Sequence, residues 1–76
     1  MLVPNPASDI LSIRLSGIST ENGILSVFDL QGHLITEQTT GSEAEANLMI
    51  NNWPSGMYII IFKTKQITAM ARFVKL

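Results

Sequence analysis

Seventy-six residues carrying a net charge of −1, no cysteine and 46% hydrophobic side chains describe one small domain, or one piece of a longer chain. That composition excludes a disulfide framework, a thiolate zinc site and a cysteine nucleophile, and five bases against six acids argue against nucleic acid as a partner. No apolar run approaches the roughly 20 residues of a membrane helix, so membrane insertion is not expected.

In chain order, Met1-Leu2-Val3-Pro4-Asn5-Pro6 has neither the basic start nor the apolar segment of a signal peptide. If the domain is exported, the signal that starts export is expected outside this stretch. Leu2-Val3 reads as a short pairing segment, and the two prolines around Asn5 force extended or turn geometry, because proline fixes its own φ and pushes the preceding residue away from α. Ser8 and Asp9 can close this corner through side-chain bonds to backbone N–H groups. Leu11, Ile13 and Leu15 alternate with Ser12 and Arg14, which predicts a strand with one buried face. Gly17 to Gly23 reads as a loop, with Asn22-Gly23 its strongest turn signal.

Ile24 to Asp29 predicts a second strand and His33 to Thr39 a third. Asp29-Leu30-Gln31-Gly32 between them suits a tight hairpin in which Gly32 supplies positive φ. Thr39 to Ala46 is small and polar, a loop or weak edge. Ala46, Leu48 and Ile50 then alternate with Asn47, Met49 and Asn51 as a fourth strand. Asn51-Asn52-Trp53-Pro54-Ser55-Gly56 turns the corner into Gly56–Lys63, the longest β-branched and aromatic run of the chain. Met57, Ile59 and Ile61 lie on one face of that run and Tyr58, Ile60 and Phe62 on the other. Two apolar faces predict a central strand covered on both sides. After a turn at Lys65-Gln66, Ile67 to Lys75 predicts a last strand, with Ala69, Ala71 and Phe73 on one face and Met70, Arg72 and Val74 on the other. Six or seven short strands with turn signals between them, and no helical period, predict an all-β fold: a small antiparallel β-sandwich.

Catalytic chemistry finds little purchase. His33, the one histidine, follows a hairpin glycine and reads as an exposed turn residue. Without a cysteine or carboxylate cluster it makes no convincing metal site. Ser8, Asp9 and His33 are the residue types of a triad, but nothing in the pattern brings them together and no nucleophile elbow is present. Glu43 and Glu45 read as a solvated face rather than paired acids over a cleft. No calcium loop or glycine-rich phosphate cradle occurs, so no cofactor is expected. Trp53 is expected to plug one end of the sandwich rather than to stand out as a stacking platform. Tyr58 is expected to bond its hydroxyl back to the corner, as in a tyrosine corner.

All six acids (Asp9, Glu21, Asp29, Glu37, Glu43, Glu45) precede residue 46, whereas four of the five bases (Lys63, Lys65, Arg72, Lys75) follow residue 62. This asymmetry reads as a solvated surface or, more sharply, as a mildly basic face on the C-terminal hairpin. The uncharged run Tyr58 to Phe62 is also an aggregation signature if uncovered. Edge strands of the isolated domain can pair between copies, giving a strand-mediated dimer.

Four landmarks in order carry a family resemblance: Pro4-Asn5-Pro6-Ala7-Ser8-Asp9 ahead of Leu11 and Ile13, Val27-Phe28-Asp29-Leu30-Gln31-Gly32, Gly56-Met57-Tyr58 ahead of Ile59-Ile60-Ile61, and the closing Arg72-Phe73-Val74-Lys75. Together they resemble the type A C-terminal sorting domain of the type IX (Por) secretion system, found on exported proteins of Bacteroidetes. The resemblance covers essentially the whole chain. It implies an Ig-like β-sandwich at the end of a secreted cargo protein, a non-catalytic address read by the outer-membrane translocon. A sortase-like peptidase then removes the domain, and the cargo reaches the cell surface or the extracellular space. The sorting residues it implies are Pro4, Asn5, Pro6, Asp9, Gly32, Gly56, Tyr58, Arg72, Phe73, Val74 and Lys75. The chain departs from the family in Val3, where an aromatic is frequent, in Arg72, where lysine is commoner, and in Leu76 after Lys75. On this reading, residues 1–76 are one domain taken from a longer chain, and the final strand with its bases and free carboxylate is the recognition surface. Two other readings stand beside it: an Ig-like carbohydrate-binding or adhesion module acting through Trp53 and Tyr58, and a purely structural terminal cap.

Overall fold

A computed structural model describes residues 9–15, 22–41 and 45–76. The expectations for Leu2-Val3, for the Pro4-Asn5-Pro6 corner and for most of the Gly17–Gly23 loop lie outside the described residues. Among those described are six strands: β1 (Ile10–Arg14), β2 (Gly23–Asp29), β3 (Leu34–Thr40), β4 (Glu45–Met49), β5 (Gly56–Lys63) and β6 (Thr68–Lys75). They form two antiparallel sheets, β1-β4 and β3-β2-β5-β6. The expected all-β sandwich is the fold that forms, with strand bounds within two residues of those read from the alternation.

Period-two patterning builds one core between the sheets. From the small sheet come Leu11, Ile13, Leu15, Ala46, Leu48 and Ile50, with Leu11 opposite Leu48 and Ile13 opposite Ala46. On its other face Ser12 Oγ donates to Asn47 Oδ1 at 2.8 Å across the same strand pair. The larger sheet supplies Leu25, Val27, Tyr58, Ile60, Phe62 and Phe73. Within it large side chains face small ones: Ile60 pairs with Ala71 and Phe62 with Ala69, so the layer stays level where the small sheet lies on it.

Gly23 belongs to this inner layer. It opens β2 as a strand residue rather than serving the preceding turn. A Cβ built on it would lie 2.7 Å from Phe62 Cε1 and 2.9 Å from the Lys63 carbonyl oxygen. The glycine is therefore required by the Phe62 ring, which occupies the space a side chain would take.

One expectation is corrected. β5 is central, flanked by β2 and β6, yet it is covered on one side only. Tyr58, Ile60 and Phe62 are buried, whereas Ile59 and Ile61 are half-buried and Met57 is exposed. The small sheet has two strands and lies on the inner face, so among the described residues no second layer covers the other apolar stripe on β5.

Candidate functional site

The landmark residues gather at one pole of the sandwich, around the corner from β4 into β5. Trp53 N–H donates to the Ile50 carbonyl at 2.9 Å and closes a turn. Pro54 follows, and its carbonyl accepts the Tyr58 hydroxyl at 2.6 Å. Gly56 lies between them with φ of 148°, a region that L side chains rarely adopt, and this re-aims the chain into β5. Tyr58 is thus tied by its hydroxyl to the corner four residues back, as expected from the sequence.

Three rings pack on this corner. Trp53 and Tyr58 have centroids 5.2 Å apart, Tyr58 and Phe73 5.3 Å with ring planes 19° apart, and Trp53 and Phe73 6.4 Å. These separations fall within the favourable range for aromatic pairs. Trp53 is half-buried and packs against the core cluster, so it acts as the end plug. With the Tyr58 hydroxyl engaged and both rings turned inward, the corner is built for packing and offers no open aromatic platform.

The closing landmark on β6 divides between the two faces. Phe73 is fully buried and pairs with Tyr58, while Arg72 is exposed on the outer face opposite Ile59. Val74 is half-buried opposite Met57. Lys75, opposite Gly56, is only 8% exposed, its stem laid along the inner face and its Nζ donating to the Leu76 main-chain oxygen at 2.7 Å. β6 is the edge strand of the described sheet. The C-terminal bases do not converge on one face. Lys63 sits by the β5–β6 turn and Lys75 seven residue pairs away, roughly 23 Å at the usual rise. Arg72 points outward and Lys75 inward.

The central landmark forms the β2–β3 hairpin. Gly32 takes φ of 87° and donates its N–H to the Asp29 carbonyl at 3.1 Å. Asp29 organises the loop: its Oδ1 accepts the N–H groups of Gln31 and His33, each at 2.9 Å, and its Oδ2 lies 3.2 Å from His33 Nδ1. These donors, the His33 N–H first, hold the Asp29 carboxyl below its ordinary value. His33 is largely exposed and serves the turn. Asp9 is exposed, with its carbonyl accepting the Ile50 N–H at 2.9 Å, while Pro4, Asn5 and Pro6 lie outside the described residues. The structure therefore brings Gly56, Tyr58 and Phe73 together around Trp53, with the Gly32 hairpin at the same end of the sheet, where Asp29 pairs with Tyr58, and with Arg72 turned to the opposite face. Among the described residues no group of three or more His, Asp or Glu side chains could hold a metal ion.

Sequence reading did not single out the outer face of the larger sheet, where Phe28, Ile59, Ile61 and Met70 line an apolar groove. The signal was present as the second stripe on β5, read there as a covered surface.

Over 57 residues, 75% of the chain, the sequence is 40% identical to the ulvan lyase NLR42 of Nonlabens ulvanivorans. The matched stretch is 10% of that enzyme, so the chain spans about a tenth of the relative's length. The family model of the secretion system C-terminal sorting domain matches residues 1–76. Domains of this family mark the proteins that carry them for export to the cell surface or extracellular space, as signals rather than catalysts. With that match running over its full length, the chain belongs to the type IX secretion C-terminal sorting domain family.

Proposed function

We propose that this chain is the removable address of a longer cargo protein, recognised by the type IX outer-membrane translocon and cleaved off by a sortase-like peptidase at the surface. The observation that carries the proposal is the family match over the whole chain, combined with a C-terminal strand at the sheet edge that exposes Arg72. An address shared by unrelated cargoes needs a constant folded shape and an accessible strand, and an edge strand with a charged residue supplies both. The division of β6 suggests a division of labour: Phe73 and Lys75 fix the strand on the core, whereas Arg72 and the chain end near Leu76 meet the translocon. Pro4, Asn5, Pro6, Asp9, Gly32, Gly56 and Tyr58 then act through the fold that presents this strand. The kinship with an ulvan lyase is confined to a tenth of that enzyme, so it carries the address and not the lyase chemistry.

The test is export of a passenger fused ahead of residues 1–76 in a host that has the type IX machinery. The intact fusion is expected in the medium or on the surface with the domain removed. Deleting Phe73 to Leu76 should retain the fusion in the periplasm, but it also removes a core ring. Arg72→Ser, judged folded by its melting curve, is the cleaner variant and should lower export. Normal export of both variants would overturn the assignment of β6 as the recognition strand, and retention of the intact fusion would overturn the address itself.

A further inference from the structure

The outer face of the four-stranded sheet is apolar around Phe28, Ile59 and Ile61, with Glu37 on one edge strand, Arg72 on the other and Lys63 at the end of β5. Phe28 on β2 lies opposite Ile59 on β5, and Ile59 lies opposite Arg72 on β6. One step along the sheet, Glu37 on β3 lies opposite Ser26 on β2, in the row that continues through Ile61. Ile59 and Ile61 are only half-buried and Met70 is 66% exposed. A soluble monomer rarely leaves a contiguous patch of this kind uncovered.

We propose that this face is the contact surface of a symmetric dimer of two copies of the chain, packed sheet to sheet. A twofold axis running along the strands lays β2 over β5 of the second copy and β3 over its β6. Phe28 then stacks on Ile59 of the second copy, twice by symmetry. Glu37 is then offset by about 6.6 Å along the strand and by one sheet spacing, about 10 Å, from the second copy's Arg72, so the two backbones lie about 12 Å apart, a gap that the glutamate and arginine side chains span together. The acidic edge of one face thus meets the basic edge of the other, and Glu37 and Arg72 form two equivalent pairs, with Lys63 at the far end of β5 and Asp29 at the hairpin end outside them. Four strands of about eight residues give a footprint of roughly 500 Å² per copy, near the lower limit for a specific interface, so the dimer is reversible rather than obligate. This contact uses the sheet face and leaves the strand edges unpaired with the other copy, unlike the edge-to-edge dimer that strand propensity alone suggests.

Sedimentation velocity on the chain across micromolar to millimolar concentration tests it, with melting curves confirming that each variant is folded. The wild type is expected to dimerise with concentration, and added salt should weaken the association. Arg72→Glu and Glu37→Arg should each weaken association by about tenfold or more, and the double variant should restore it. Ile59→Lys should abolish it. Three results overturn the proposal: a monomer at every concentration, a dimer indifferent to all four variants, which would be an edge-strand dimer, and failure of the charge-swapped pair to recover. A chain that stays monomeric while Ile59→Lys impairs passenger export would assign the face to the translocon instead. Because the readout is association in solution, it is independent of whether Arg72 also serves export.

Discussion

Tyr58 and Phe73 are direct cross-strand partners whose rings lie 5.3 Å apart and nearly parallel. One anchors the corner that starts β5, and the other belongs to the closing landmark of β6, so the chain end is held in place by the corner. Truncating Phe73 to Ala should cost about 3–5 kcal/mol, the usual range for a buried aromatic. A chain of this length has on the order of 4–11 kcal/mol to lose, so the variant should forfeit a large share of its stability. Tyr58→Phe keeps the ring and loses the bond to the Pro54 carbonyl, and should cost about 1 kcal/mol. Urea denaturation monitored by Trp53 fluorescence measures both, and equal losses for the two would contradict the packing described.

Gly23 and Gly56 should fail for different reasons. Ala at position 23 would drive its Cβ against the Phe62 ring and a backbone carbonyl, an overpacking cost of about 1–3 kcal/mol. Nothing lies within 4 Å of a Cβ built at position 56, but its φ of 148° strains any side chain, a cost of similar size, about 1–3 kcal/mol. Phe62→Leu should therefore relieve Gly23→Ala in a double-mutant cycle and leave Gly56→Ala untouched. Additive losses at positions 23 and 62 would argue against the contact.

Much of this was legible in the chain. The bounds of Gly56–Lys63, the hairpin glycine at position 32, the inward stripe of Ala69, Ala71 and Phe73, and the hydroxyl of Tyr58 returning to its corner all follow from local rules that the tertiary structure obeys. The open face of β5 was not, because alternation records which residues share a face and not whether another layer arrives to cover it. Gly23 was hidden for a related reason: next to Asn22 it has the look of a turn, and its true constraint is a ring 39 residues away in sequence. In the candidate site, the composition of Arg72-Phe73-Val74-Lys75 suggests a basic tip. Strand parity then separates Arg72 from Lys75, and the charge of Lys75 is bent back onto the chain end.

Thr40 offers a gain in stability. It is 6% exposed on the inner side of β3 opposite Gly23, and its Oγ1 is buried with no hydrogen-bond partner among the described residues. An unmet buried hydroxyl costs about 1–3 kcal/mol, and valine has nearly the same shape with a stronger preference for strands. Thr40→Val is expected to raise the melting temperature, and Thr40→Ser to lower it. A drop in Tm for the valine variant would mean that the hydroxyl has a partner after all.

Asp29 should make the β2–β3 hairpin sensitive to acid. Its carboxylate accepts two backbone N–H groups and faces the His33 ring, which holds its folded-state value below the ordinary one. In the interval between the two values the unfolded chain binds the proton and the folded chain does not, so stability rises with pH there. The contribution is complete above the ordinary carboxylate value and lost as pH falls through the depressed folded value. Asp29→Asn keeps an oxygen for the backbone donors but cannot ionise. The stability difference between wild type and this variant should be largest at neutral pH and should shrink towards strongly acidic pH, as read from urea midpoints across a pH series. A difference that stays constant through the acid range would remove Asp29 as the source of the hairpin's pH dependence.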